Sequence, residues 1–259
     1  MALTRDDVLA AGERIAGRVH RTPTFSSRTL GPRTFLKAEL FQKTGSFKVR
    51  GVLNKLATLA PEERERGVIG ISAGNHAQAL AWGAASEGTD CLVVMYASAS
   101  PAKVAATRGY GAAVDLEAAD AVEAFRRLDE HIRSTGRTLV HPFDDPLVMA
   151  GQGTLALELL ADAPGVETIV VPTGGGGLVA GIAAAAPGRR VVAVEPERSA
   201  AVHAALAAGR SVPVTPVSIA DGLSAPFAGE NALAVLQAHD VESVLVLEEE
   251  IEAGFRFLY

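Results

Sequence analysis

The chain has 259 residues, 48% of them hydrophobic and 21% charged, with 24 basic against 30 acidic residues for a net charge of −6; this suits one large domain or two modest ones around a sizeable core. The lack of any Lys/Arg run argues against nucleic acid or an anionic membrane surface as a partner, and no apolar run reaches the ~20 residues of a membrane span. A single cysteine excludes an internal disulfide framework, and residues 1–7 carry three charges with no apolar stretch, which argues against a signal peptide and for a cytoplasmic protein.

Strand and helix alternate along the chain. Thr4, with Asp7 three positions on, makes a capping pair for a first helix. Residues 34–38 form a short strand, and Ser46 caps a helix over residues 47–59. A strand at 68–71 leads into a helix at 75–86. The next strand, 91–95, holds Cys91 among Leu, Val and Met, which marks it as a core residue rather than a nucleophile. Pro101 opens a helix at its favoured first position. A strand follows at 112–116, then a helix at 120–134 with Val122, Phe125, Arg126 and Leu128 at helical spacing, then a strand at 138–140.

The second half repeats the alternation. Helices fall at 147–160, 178–186, 199–208 and 231–238, with a last one from 248. Strands fall at 168–171, 190–194 and 241–247, and residues 211–230 hold three prolines and read as loop. Strands rich in Val and Ile, each followed by a helix, predict an α/β fold with parallel sheets. Pro61 with the charged residues 62–66 makes one hinge, and residues 141–146 make the other. A small domain at 61–145, inserted between 1–60 and 146–259 of a larger one, is therefore expected.

Three loops carry the chemistry. After the strand at 168–171, Gly174, Gly175, Gly176 and Gly177 run into a helix at Leu178. Glycines let backbone N–H groups turn toward an anion, and the helix start adds partial positive charge, so the loop reads as a phosphate cradle. The plainer reading is a tight strand–helix turn. Gly175-x-Gly177-x-x-Ala180, with Glu195 about 20 residues past the loop, also fits the permissive dinucleotide fingerprint. The second loop is Lys43-Thr44-Gly45-Ser46-Phe47-Lys48. A lysine in the first turn of a helix has its charged form disfavoured, which suits a free amine for Schiff-base chemistry; a solvated surface lysine is the alternative. The third is Ser72-Ala73-Gly74-Asn75-His76, small residues plus Asn at a strand–helix switch, suited to a carboxylate or a ring hydroxyl. An ordinary Asn or Ser cap is the alternative, and His76 reads as a core or capping residue.

Taken together, these segments resemble one family. In order, they are Phe41-Gln42-Lys43-Thr44-Gly45-Ser46-Phe47-Lys48-Val49-Arg50-Gly51, Ser72-Ala73-Gly74-Asn75-His76-Ala77-Gln78, His141-Pro142-Phe143-Asp144-Asp145-Pro146, Gly151-Gln152-Gly153-Thr154, the four glycines, Val194-Glu195-Pro196-Glu197 and Ala220-Asp221-Gly222. They look like the fold-type II pyridoxal 5'-phosphate (PLP) enzymes, in the threonine/serine dehydratase and serine racemase branch, over nearly the whole chain. This resemblance displaces the dinucleotide reading. It implies a two-domain architecture like that of the tryptophan synthase β chain.

The resemblance also implies roles. Lys48 would carry PLP as a Schiff base and take the α-proton. Phe47 would pack beside the cofactor ring, and Asn75 would bond its ring oxygen. Gly174, Gly175, Gly176, Gly177 and the Leu178 amide would hold the phosphate. Ser72 and the backbone of Ala73, Gly74, Asn75 and His76 would hold the substrate carboxylate, and Asp221 would approach the substrate side chain. The expected reaction is β-elimination from L-threonine or L-serine to 2-oxobutyrate or pyruvate and ammonia, with a small hydroxy amino acid as substrate and a homodimer or higher homo-oligomer as the assembly.

Racemases of the branch resemble Ser-Ser-Gly-Asn-His, where the second serine serves the opposite face. Here that position is Ala73, which holds no proton, and racemisation needs a group on each face. Ala73 and the residues 141–144 therefore favour dehydratase over racemase. The family's divalent-cation site uses the Glu of Val-Glu-Pro and an acid six positions on; here Glu195 is followed by Ala201, so no metal is expected. Members of the family run on past the equivalent of Tyr259, so a C-terminally truncated large domain is expected. The alternatives left open are a serine or hydroxyaspartate racemase or dehydratase of the same family, and a silent PLP-binding fragment.

Overall fold

The computed structural model describes residues 3–258, the side chain of Ala121 aside. The helices are α1 (Arg5–Ile15), α2 (Lys48–Ala57), α3 (Pro61–Arg66), α4 (Asn75–Ser86), α5 (Pro101–Gly109), α6 (Ala121–Thr135), α7 (Pro146–Asp162), α8 (Gly177–Ala185), α9 (Ala201–Ala208), α10 (Glu230–Ala238) and α11 (Glu248–Leu258). The strands are β1 (Thr24–Ser27), β2 (Thr34–Lys37), β3 (Val68–Ile71), β4 (Cys91–Tyr96), β5 (Ala113–Ala118), β6 (Thr138–Leu139), β7 (Thr168–Pro172), β8 (Arg190–Pro196) and β9 (Glu242–Val246). Short 3-10 turns lie at Glu39–Phe41, Lys43–Gly45 and Asp221–Leu223. Among the described residues, no helix is long and apolar enough to cross a membrane.

These residues divide into two compact units. Residues 12–25 and 37–142 carry Lys48 and form the lysine unit; residues 3–11, 26–36 and 143–258 carry the four glycines and form the glycine unit. Residues 37–60, expected with the outer segments, count with the lysine unit because α2 packs along α4. That packing is close at Gly83, where an added Cβ would stand 2.7 Å from a Val52 methyl.

The lysine unit is built on a four-stranded parallel sheet in the order β5-β4-β3-β6. All four residues of β3 are buried, as a central parallel strand covered on both faces requires. On one face α6 lays Ala124 and Leu128 against Ile69, Ile71, Val94 and Ala118, with Phe125 and Ile132 beside them. Val122, expected on that apolar stripe, is 80% exposed: the buried face runs through 124, 128 and 132 at steps of four, and 122 falls outside it. The helix is fixed at its start by Asp120, whose side chain accepts from the Glu123 amide at 2.9 Å, and at its end by Gly136 at φ 66°.

In the glycine unit the sheet is β7-β8-β9, parallel, with β8 in the middle. Helices α7 and α8 cross at two glycines. An added Cβ on Gly181 would stand 2.2 Å from the Met149 carbonyl, and one on Gly153 would stand 2.4 Å from the Gly181 carbonyl; a side chain at either point would push the backbones apart. Asp145 caps α7 by accepting from the Leu147 amide at 2.8 Å, with Pro146 at the first helical position.

Candidate active site

Two 3-10 turns in the lysine unit lead the chain into Lys48. A buried polar cluster pins them. Arg50, fully buried, donates from Nε and Nη2 to the two Glu39 oxygens at 2.8 Å each. Thr22 Oγ1 donates to the same carboxylate at 2.5 Å. The Gln42 side chain donates to the His20 carbonyl at 2.8 Å and accepts from the His20 amide at 2.9 Å. Thr44 takes the left-handed conformation at φ 60° to complete the second turn. Ser46, expected as the cap of α2, is extended, and no side-chain cap bond is made: the helix starts one residue later, behind Phe47. The Ser46 hydroxyl is instead buried without a hydrogen-bond partner.

Lys48 is thus the first residue of α2. Its side chain is half-buried, and Nζ donates to the Pro142 carbonyl at 2.7 Å. The Phe47 ring lies 5.2 Å from the amine. Among the described residues Lys48 has no carboxylate partner. Burial pushes its pKa from the usual 10.5 down to about 8, and its first-turn position acts in the same direction.

The Asn loop follows β3 in the same unit. Gly74 donates its amide to Ser72 Oγ at 3.1 Å, which folds the loop back on itself. Asn75 opens α4 with an exposed side chain. The amides of Ala73, Asn75, His76 and Ala77 have no acceptor among the described residues, so they remain available to an anion at the start of a 12-residue helix. His76 turns its ring inward, fully buried, with Nε2 2.9 Å from the Val140 carbonyl. Gly70 lies beside this bond and is glycine for packing, since an added Cβ would stand 2.6 Å from a Leu80 methyl. A carbonyl partner assigns the proton to Nε2, and Nδ1 is left buried and unpartnered. Burial first, then the charge of Lys48, holds the ring's pKa down at about 3, against the smaller opposing effect of the Val140 bond. His76 is neutral and its side chain belongs to the core, so only its backbone amide remains for a ligand.

The glycine unit carries the four-glycine loop and Asp221. Gly176 sits at φ 93°, just before α8 begins at Gly177. The amides of Gly174, Gly175, Gly176, Gly177 and Leu178 have no acceptor among the described residues. Phe143 packs on the loop so closely that an added Cβ would stand 2.5 Å from its ring at Gly175 and 2.4 Å from its carbonyl at Gly177. The Leu223 backbone lies near Gly174, less tightly, at 3.0 Å from an added Cβ. Asp221 opens the 3-10 turn that contains Leu223 and is exposed. Phe143, the Pro142 carbonyl and the Val140 carbonyl were not among the residues singled out from sequence, although the His-Pro-Phe-Asp-Asp-Pro run that holds two of them stood out.

This donor set fits PLP. The lysine unit carries an amine of the kind an aldehyde takes up, and the glycine unit, by itself, carries five amides without an acceptor among the described residues, of the kind a phosphate takes up. A divalent cation at Glu195 does not fit. Its Oε1 accepts from the Val202 amide at 2.8 Å, and its Oε2 accepts from the His203 amide at 2.8 Å and the Ser243 hydroxyl at 3.1 Å. Two N–H groups point at the carboxylate where a cation would have to sit, and the described residues hold no group of three His, Cys, Asp or Glu placed for a metal.

The comparisons with known proteins agree with this cofactor. The L-threonine ammonia-lyase of Thermotoga maritima is 41% identical over 268 residues, covering 99% of this chain and 66% of the relative; the chain thus spans just under two thirds of that protein's length. The structure of maize serine racemase superposes with a TM-score of 0.95 at 34% identity, over all of this chain and 81% of that one. The T.th. threonine deaminase gives a TM-score of 0.91 at 41% identity, over 98% of this chain and 86% of that one. The family described as pyridoxal-phosphate dependent enzyme matches residues 15–259, and with its α/β architecture of parallel sheets flanked by helices the chain belongs to that family, in its fold-type II class.

Proposed function

We propose that this chain works in the β-elimination of water from L-threonine and L-serine, giving a 2-oxo acid and ammonia. The observation that carries the reading is the Lys48 amine, hydrogen-bonded to the Pro142 carbonyl, with no carboxylate partner among the described residues and a pKa brought to about 8 by burial. PLP, when bound, supplies the electron withdrawal that makes the substrate α-proton acidic. Lys48 binds the cofactor and then, as a free amine, takes that α-proton at Nζ. A pKa near the working pH suits this, since the group must hold and give up a proton with similar ease. The Pro142 carbonyl, 2.7 Å from Nζ, orients the amine and accepts from it whether it is charged or neutral.

The amides of Ala73, Asn75, His76 and Ala77, which have no acceptor among the described residues, would take the substrate carboxylate, the Asn75 side chain would bond the cofactor ring oxygen, and the amides of residues 174–178 would hold the phosphate. Ala73 decides between elimination and racemisation. It carries no ionisable group, and a second-face proton donor is what racemisation requires. The 41% identity to threonine ammonia-lyase supports the same side of the choice. The reading carries with it a cytoplasmic homo-oligomer, for which size-exclusion chromatography with light scattering is the check.

The test is 2-oxo acid formation from L-threonine with added PLP, beside a Lys48→Ala control whose thermal melting matches the parent. Product from the parent and at least a thousandfold less from Lys48→Ala is the expected result. PLP binding with no product from L-threonine or L-serine sinks the lyase reading, and equal product from both chains sinks the role of Lys48.

A further inference from the structure

The glycine loop is braced by two helices, and a carboxylate from outside each helix holds its first turn, one from the preceding strand and one from 86 residues away. Val202, at the second position of α9, has a methyl 3.3 Å from where a Cβ of Gly176 would stand, and Ala232 of α10 has its Cβ 3.1 Å from the same point. Gly176 is the residue whose left-handed φ of 93° aims the loop into α8. Its two supports define how far that turn can relax.

Glu195, at the end of β8 and fully buried, grips α9 through the amides of Val202 and His203, at 2.8 Å each. Asp144, directly after the phenylalanine that packs on Gly175 and Gly177, grips α10 through the amides of Glu230, Asn231 and Ala232 at 3.0, 3.0 and 3.2 Å. Gly229 is glycine for this contact: a Cβ there would overlap the Asp144 carboxyl at 2.4 Å. Both carboxylates sit where a helix start favours negative charge, and each supplies a helix whose own N-cap makes no side-chain bond, Ala200 in one case and Gly229 in the other.

We propose that Glu195 and Asp144 are positioning residues for the cofactor phosphate, holding α9 and α10 against Gly176 so that the loop amides converge before PLP arrives, and that Glu195 does this with no divalent cation. The helix amides and the Ser243 hydroxyl occupy the carboxyl oxygens that a cation would use; burial still pushes the Glu195 pKa up, against the smaller opposing effect of these bonds. The inference rests on the reading of residues 174–178 as the phosphate cradle.

The experiment compares PLP with pyridoxal, which lacks the phosphate, by equilibrium dialysis against the apo protein. The parent binds PLP more tightly than pyridoxal by a factor set by the cradle. Glu195→Gln and Asp144→Asn each keep shape but remove the charge, and each lowers PLP affinity by tenfold or more while pyridoxal affinity stays within twofold. Val202→Ala, which removes one brace and leaves both carboxylates, lowers the same ratio several-fold and serves if the charge variants melt too low to study. EDTA and added Mg2+ leave the parent's PLP affinity unchanged. A parent without preference for PLP overturns the cradle and the proposal together. A parent with that preference, and folded variants that keep it or lose both ligands equally, overturns the proposal alone. Loss of PLP affinity in EDTA with recovery in Mg2+ overturns the cation-free role of Glu195.

Discussion

Titrating the apo protein exposes the Lys48 amine directly. With a pKa of about 8, about 9% of the amine is uncharged at pH 7, against about 0.03% for a lysine at 10.5, a ratio of roughly 300. Competitive acetylation from pH 6 to 10, read residue by residue by mass spectrometry, therefore places the Lys48 midpoint near 8, well below the ordinary lysine value of 10.5. The sign carries into stability. The folded-state pKa lies below the unfolded one, so between about 8 and 10.5 the unfolded chain binds more protons and the folded state gains as pH rises; below 8 both states bind the proton and burial of the charge is a standing cost. The melting temperature of the parent, relative to Lys48→Met, therefore climbs across that window. A Lys48 midpoint above 10, or a melting difference flat from pH 7 to 10, would refute the argument that burial without a counter-charge sets this amine.

Two further perturbations test the frame around Lys48. Glu39→Gln leaves the Arg50 guanidinium buried beside an uncharged amide, and loss of one partner of a buried pair costs about 3–5 kcal/mol; denaturant unfolding that shows under 1 kcal/mol would place the cluster's value in packing alone. Burial raises the Asp115 carboxyl, but hydrogen bonds from Arg127, the Glu117 amide and His131 outweigh it and bring the group down to about 2. Its contribution, about 2 kcal/mol, is fully present above about pH 5 and lost as pH falls through the folded pKa of about 2, so Asp115→Asn is less stable than the parent at pH 7 and the difference shrinks steadily as pH falls from 4 to 2. A difference that is constant with pH would assign the loss to shape.

What the sequence showed well were signals that act over three or four residues. The Thr4–Asp7 pair forms the expected reciprocal cap, with bonds of 2.9 and 3.3 Å, and the glycine and proline punctuation located most helices to within two residues. Local signals failed where two of them competed. Residues 61–66 read as a hinge because they lack an apolar period, yet Pro61 at the first position and a Glu63 side chain reaching back to the Ala60 amide at 2.8 Å make a helix. Ser46 has the residue type of a cap, but the turn at Thr44 carries it past the position from which a hydroxyl could serve one. The contacts that define the Lys48 amine were not legible at all. Its partner, the Pro142 carbonyl, lies 94 residues away and is a backbone atom, and the chemistry of a backbone atom is the same for every residue type.

The four glycines show how a correct signal can have more than one cause. Their number suggested a phosphate, on the ground that a turn needs fewer. In the folded unit each has a packing reason of its own: Phe143 excludes a side chain at Gly175 and Gly177, Leu223 at Gly174, and the left-handed φ at Gly176. Glycine content alone is therefore silent about an anion. The argument for one comes from what the glycines leave behind, five consecutive amides at the start of α8 without an acceptor among the described residues. Unpaired amides buried beside packed rings are costly unless something accepts from them, and an anion at a helix start meets that need with charge of the favoured sign. The close packing holds the amides still, and their lack of partners makes that rigidity useful to a ligand.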